Sequence, residues 1–164
     1  MKQAFIALGS NLADPLNQIN IALAALANIP KTQLVKKSSL YRTAPVDCPQ
    51  TDSDMPDFIN AVAELATDLT PLELLDVLLS IETKAGRERP YRNAPRVLDC
   101  DLLLYENTQI TTEKLTVPHP RMHARGFVLL PLFEIAPQLS IPNHGKISEL
   151  IQPNLYVGIQ KLES

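Results

Sequence analysis

An α+β fold, with helices packed on one face of an antiparallel sheet, is the class this sequence predicts. Three observations carry it. Apolar strand-like runs occur at Ala4 to Leu8, Thr32 to Tyr41, Phe58 to Thr67 and Arg96 to Leu104. Two amphipathic helical segments fall after the first and third of these runs. The resulting order, strand, helix, strand, strand, helix, strand, is that of a ferredoxin-like sandwich.

Each element has a local cause. Ala4 to Leu8 is a short apolar run that ends at Gly9-Ser10-Asn11, as a central strand entering a turn does. Asp14-Pro15 supplies an N-cap and a first-turn proline. Leu16, Ile19, Leu23 and Leu26 then mark one helix face, and the helix stops before Pro30. Between the second and third strands, Thr43 to Asp57 holds three prolines and four aspartates and reads as a long mobile loop. Thr70-Pro71-Leu72-Glu73 is a capping box, so the second helix runs from about Pro71 to Ala85 and ends at Gly86. The last third adds turns and short helices around Pro118 to Glu134.

At 164 residues and 45% hydrophobic content, the chain suits one domain, 1–164, able to bury most of its apolar surface. A net charge of -3 argues against nucleic acid held across a wide face, while leaving room for a small anion in a local basic pocket. Cys48 and Cys100 form no disulfide framework and no Cys-x-x-Cys metal pattern. They are expected as free thiols, and with no signal peptide or membrane span in view the expected location is the cytoplasm. Size alone makes a monomer the expected state.

The chemistry centres on Arg96-Val97-Leu98-Asp99-Cys100-Asp101-Leu102-Leu103-Leu104. On a strand Asp99 and Asp101 share one face while Leu98, Cys100 and Leu102 pack on the other, and the aspartate Cα atoms lie roughly 6.5 to 7 Å apart. Two carboxylates so spaced can bridge divalent cations about 3.5 to 4 Å apart, the arrangement that clamps a transferring phosphoryl group. Asp-x-Asp also occurs on solvated strands. The apolar neighbours argue instead for burial, where unpaired carboxylates are costly.

Four arginines, Arg87, Arg89, Arg92 and Arg96, lead into this strand. A charged loop is ordinarily solvated surface, but here guanidinium groups able to grip phosphate stand next to carboxylates able to hold magnesium. Glu82, in the last turn of its helix, is disfavoured by the macrodipole and calls for a compensating cation or ligand hydroxyl, or a plain surface pair with Lys84, Arg87 or Arg89. His119, framed by Pro118 and Pro120, is stiffly held and able to donate to a phosphate, whereas His123 and His144 lack such framing. Phe58 and Phe127 are either core or two plates gripping a flat heterocycle whose polar edge Asn60 reads.

Several segments, in order and at similar separations, resemble the 6-hydroxymethyl-7,8-dihydropterin pyrophosphokinases of folate synthesis. They are Ala7-Leu8-Gly9-Ser10-Asn11-Leu12, Ser39-Leu40-Tyr41-Arg42-Thr43-Ala44-Pro45, Asp57-Phe58-Ile59-Asn60-Ala61, Arg92-Asn93-Ala94-Pro95-Arg96 with Asp99 and Asp101, Thr116-Val117-Pro118-His119-Pro120 and Arg125-Gly126-Phe127. The resemblance implies transfer of the β,γ-diphosphate of ATP to the hydroxymethyl group of the reduced pterin, with release of AMP and participation of two Mg2+. It further implies that Asp99 and Asp101 are metal ligands and that Arg87, Arg96 and His119 meet the nucleotide and its phosphates. Glu82, Lys114, Thr116 and Arg125 match positions on the nucleotide side. The pterin would lie between Phe58 and Phe127, met by Asn60 and by the backbone around Thr43, Ala44 and Val46. Arg87, Arg96, Asp99 and Asp101 are thus the expected catalytic set.

The chain departs from that pattern at Cys100, where an aliphatic residue is usual, at Asn93, where some members carry tryptophan, and in a longer loop around Cys48 to Met55. Two rival readings remain at this level: a nucleotidyltransferase, which would release pyrophosphate, and a regulatory module that binds nucleotide or pterin without turnover.

Overall fold

The computed structural model describes residues 1–11, 14–43, 57–85, 97–152 and 158–162. The expected order of strands and helices is present: β1 (Lys2–Ser10), α1 (Pro15–Ala27), β2 (Thr32–Lys37), β3 (Tyr41–Thr43), β4 (Phe58–Thr67), α2 (Pro71–Ala85) and β5 (Asp99–Tyr105). After these come β6 (Ile110–Thr111), β7 (Thr116–Val117), a 3-10 turn at Met122–Ala124, α3 (Gly126–Ile135), β8 (Ser140–Ile141), β9 (Gly145–Lys146), α4 (Ile147–Leu150) and β10 (Ile159–Lys161). The main sheet runs β10-β3-β4-β1-β5, with β2 also paired to β4, and every pairing is antiparallel.

The expected strand from Thr32 to Tyr41 is two strands on the same partner. Lys37 pairs with Ala63 and Tyr41 with Asn60, and the chain breaks between them at Ser38. Buried Ser38 takes over both ladder bonds of Val62: its N–H donates to the Val62 carbonyl at 2.9 Å, and its Oγ accepts the Val62 N–H at 2.9 Å. A side-chain oxygen replacing a backbone carbonyl turns the strand at that point.

The sheet is covered on both faces. Ile19, Ala22, Leu23 and Leu26 of α1, with Leu74 and Leu78 of α2, pack on Ala4, Ile6, Leu8, Ala61, Ala63 and Leu65. The other face, with Phe5, Ala7, Val62 and Leu103, lies under Val128, Leu129, Leu132 and Ile135 of α3. This second cover corrects the expectation of helices on one face alone. The α3 segment is apolar nearly all round and has Pro131 inside it, so it lacks the polar stripe by which a surface helix is read.

Two details of α1 also differ. Leu16 is exposed rather than facing the core. Asp14 stands at the N-cap position with φ 62° and makes no side-chain cap bond. Pro15 in the first turn and the stop before Pro30 are as expected. The α2 capping box is formed in full: the Thr70 N–H donates to Glu73 Oε1 at 2.9 Å, and the Glu73 N–H donates to Thr70 Oγ1 at 3.2 Å. Among the described residues no helix is long and apolar enough to cross a membrane. Gly86, and all of the expected loop from Ala44 to Pro56, lie outside the described residues.

Candidate active site

The register decides which side chains share a face. Gly9 of β1 pairs with Asn60 on one side and with Asp99 on the other, and Ala7 pairs with Val62 and with Asp101. Val62 and Ala7 belong to the core beneath α3, so Phe58, Asn60, Asp99 and Asp101 stand on the α3 face by strand alternation. Leu98, Cys100 and Leu102 point into the core under α1 and α2, as the sequence pattern requires. Both aspartates are half-buried. A register shift lets Leu103 and Leu104 both join the α3-side core, and the aspartates lie before that irregularity.

Each end of the aspartate segment is tied down. Ser10 Oγ donates to the Val97 carbonyl at 2.5 Å, joining the end of β1 to the approach to β5. Between the aspartates, the Cys100 N–H points off the edge of the sheet and donates to Glu82 Oε2 at 2.7 Å. Glu82 therefore reaches from α2 to the backbone of the strand that carries the carboxylates. Burial pushes the Cys100 thiol well above its ordinary range, and the charges of Glu82, Asp101 and Asp99 add to this. Cys100 serves as a small buried hydrophobe.

His119 follows β7 and closes against the same strand, its N–H donating to the Leu103 carbonyl at 2.9 Å. Its Nδ1 accepts the Arg121 N–H at 3.2 Å. Burial lowers the imidazole pKa; Asp101 draws it back up, and Arg125 and Arg121 lower it further. The neutral ring with Nδ1 accepting carries its proton on Nε2, which makes Nε2 a hydrogen-bond donor. Thr116 is half-buried in β7, opposite Thr111 of β6, and Lys114 is exposed in the turn joining these two strands. Arg125 immediately precedes α3, its guanidinium carbon 5.5 Å from the centroid of the Phe127 ring.

At the β3–β4 end, Asn60 is buried and its Nδ2 donates to Thr43 Oγ1 at 2.9 Å. A Cβ on Gly9 would meet Asn60 Oδ1 at 3.0 Å, so glycine at this position leaves the room that the amide occupies. Phe58 pairs with Thr43 and is half-buried, and Phe127, half-buried in the first turn of α3, packs beside the core of the same face.

The structure thus brings together Thr43, Phe58, Asn60, Asp99, Asp101, His119, Arg125 and Phe127 around one side of the sheet. Glu82 contacts the backbone of that strand from α2, Thr116 lies on β7, which packs beside β5, and Lys114 sits at a turn. Arg87, Arg96, Ala44 and Val46 lie outside the described residues. No group of three or more His, Cys, Asp or Glu among the described residues is arranged to hold a metal. A two-carboxylate set fits Mg2+, which is ordinarily held by one or two carboxylates and completed by water and substrate phosphate. Two features escaped the sequence reading: the close approach of Gly9 to Asn60, and the carboxylate of Glu134 that collects bonds from Ser39 and Tyr41. Glycine before a turn gives no hint of its partner on the adjacent strand, and no local pattern links residues 93 to 95 positions apart.

Comparison with known proteins shows the family to which the chain is related. Residues 5–137 match the family described as 7,8-dihydro-6-hydroxymethylpterin-pyrophosphokinase (HPPK). The chain is 49% identical over 152 residues to the 2-amino-4-hydroxy-6-hydroxymethyldihydropteridine pyrophosphokinase of Haemophilus influenzae, covering 93% of this chain and 92% of that one. It is 43% identical over 162 residues to the protein of that description from Pseudomonas aeruginosa, covering 99% and 98%. Among solved structures, a Plasmodium falciparum HPPK-DHPS with pteroate superposes with a TM-score of 0.73 at 16% identity, covering 98% of this chain and 45% of that chain. The chain therefore spans about half the length of the solved structures it matches, and this likeness bears on the fold.

Fold, face and relatives together define a pyrophosphokinase of the α+β class, an enzyme that moves a diphosphate unit from ATP. More particularly, the chain belongs to the 7,8-dihydro-6-hydroxymethylpterin-pyrophosphokinase family.

Proposed function

We propose that this face of the sheet is where the family's reaction, transfer of diphosphate from ATP to 6-hydroxymethyl-7,8-dihydropterin in folate synthesis, is carried out. The single observation that carries the reading is the register through Gly9, which sets Asn60 and Asp99 on one face two strand spacings apart, about 9.5 Å. One end of a flat heterocycle at Asn60 then leaves its hydroxymethyl arm directed toward the carboxylates.

In this reading Phe58 and Phe127 stack on the pterin, and Asn60, fixed by Thr43, meets its polar edge together with the backbone of Thr43, Ala44 and Val46. Asp99 and Asp101 would hold two Mg2+, which when bound would neutralise triphosphate charge and favour ionisation of the hydroxyl. His119 donates from Nε2 to a phosphate oxygen. Arg87 and Arg96 grip the triphosphate, and Glu82, Lys114, Thr116 and Arg125 lie on the nucleotide side. The pterin hydroxyl oxygen forms a bond to the β-phosphorus as the bond from that phosphorus to the α,β-bridging oxygen breaks. The hydroxyl proton passes to solvent, and AMP leaves carrying the former α,β-bridging oxygen. Positioning and electrostatics provide most of the acceleration. The reading includes one catalytic domain, 1–164, acting as a monomer on small-molecule substrates in the cytoplasm.

The test is chromatography of products after mixing the protein with ATP, Mg2+ and reduced hydroxymethylpterin, beside an Asp99→Asn/Asp101→Asn variant. AMP formed only with pterin, and lost in the variant, is the expected result. ADP would mean an ordinary kinase, and pyrophosphate a nucleotidyltransferase. Full activity in the double variant would remove the aspartates from the mechanism.

A further inference from the structure

Glu134, in the last turn of α3, gathers hydrogen bonds from one short stretch of chain at the start of β3. Its carboxylate accepts the Ser39 N–H at 3.1 Å, Ser39 Oγ at 2.9 Å and the Tyr41 hydroxyl at 2.7 Å, and Lys161 Nζ lies 4.0 Å away. Burial by itself would raise this carboxyl. The bonds from Tyr41 and Ser39 and the charge of Lys161 outweigh burial and hold it below the usual range. The same contact raises the Tyr41 hydroxyl far above its ordinary value, after burial and together with the repulsion of the Glu134 charge.

What the carboxylate joins is informative. Glu134 and Phe127 are seven positions apart on α3, two turns, which puts them within about 20° of the same line along the helix. Tyr41 pairs with Asn60 and lies two residues from Thr43, whose hydroxyl fixes the Asn60 amide. One helix stripe thus carries an aromatic plate and an anchor, and the anchor is fastened at β3, the strand that supplies Thr43 and pairs with the Phe58–Asn60 segment of β4. A flat ring held between two aromatic faces needs them about 7 to 8 Å apart, twice the optimal carbon contact distance. A drift of only 0.5 to 1 Å forfeits roughly a quarter to a half of each contact.

We propose that Glu134 is a positioning residue for pterin recognition, whose bonds to Ser39 and Tyr41 set the separation between Phe127 and the Phe58–Asn60–Thr43 wall. This rests on the pterin site described above. Glu134 touches no substrate and acts through the spacing of groups that do.

The experiment measures steady-state kinetics of AMP formation for the wild type, Glu134→Ala, Glu134→Gln and Tyr41→Phe, varying pterin and ATP separately. The expected result is a rise of about tenfold in KM for pterin in Glu134→Ala, with KM for ATP within twofold of the wild type and kcat lowered less than KM is raised. Glu134→Gln, which keeps an acceptor oxygen, recovers part of the loss. Should Glu134→Ala not fold, Tyr41→Phe and Ser39→Ala each remove one donor and carry the same test. An active wild type with pterin KM unaltered in the folded variants overturns this inference alone, as does an equal rise in both KM values. A wild type that makes no AMP overturns the underlying site and this inference with it.

Discussion

Glu82 accepts the backbone N–H of Cys100 at 2.7 Å, and Cys100 is the residue between Asp99 and Asp101. A helix side chain therefore holds the strand that presents both carboxylates. Residues that orient metal-binding groups commonly account for 10 to 100-fold in affinity or activity. Glu82→Ala is expected to lower turnover by about that factor and to raise the Mg2+ concentration needed for half-maximal rate. A magnesium titration of turnover checks it, and an unchanged titration curve would show that the strand needs no such hold.

Gly9 faces Asn60 so closely that a methyl group meets its Oδ1 at 3.0 Å. Gly9→Ala forces the amide aside and strains its bond to Thr43, for a stability loss of about 1 to 3 kcal/mol. If Asn60 meets the pterin as proposed, the expected consequence is selective: affinity for pterin falls while affinity for ATP is retained. Calorimetric titration with each ligand tests this, and equal losses for both would contradict it.

Leu129 and Leu132 of α3 are fully buried against the sheet. Truncating either to alanine should cost about 2 to 5 kcal/mol. For a protein of this size each kcal/mol lowers Tm by roughly 2 to 4 °C. Thermal unfolding measures it, and a shift below a degree would mean that α3 is not the cover of that face.

The capping box of α2 carries a pH signature. The Thr70 N–H, then the Thr70 hydroxyl, holds the Glu73 carboxyl below the usual carboxylate range, with a smaller contribution from Lys31. A depressed folded pKa means that the stabilising contribution is present above the unfolded value of about 4.3 and is lost as pH falls through the folded value. The stability difference between wild type and Glu73→Gln in urea unfolding should therefore be larger at pH 7 than at pH 3. Thr70→Ala should cost about 1 kcal/mol at neutral pH. A difference between wild type and Glu73→Gln that does not change with pH would rule out the charged box.

The sequence by itself determined the elements whose causes are local. Thr70-Pro71-Leu72-Glu73 satisfies the first-turn donors of α2 within four residues, and the alternation through Leu98, Asp99, Cys100, Asp101 and Leu102 fixes which of them share a face. Such patterns depend on bond geometry and on the period of a strand, so they can be read without knowing the neighbours. The motif order from Gly9 to Phe127 likewise sufficed to indicate the family, because it samples every part of the site.

Only the tertiary structure decided what covers the second face and what holds the site in register. Helix α3 has too little polar contrast to declare its orientation, and the Phe5 to Val62 face beneath it becomes visible only when the sheet is assembled. Ser38 splits one expected strand into two because its hydroxyl competes with a carbonyl for the Val62 N–H, a partner 24 residues away. Glu82 with Cys100, Gly9 with Asn60, and Glu134 with Tyr41 are contacts between distant parts of the chain. Their existence depends on the packing of whole elements, and no local periodicity encodes such packing.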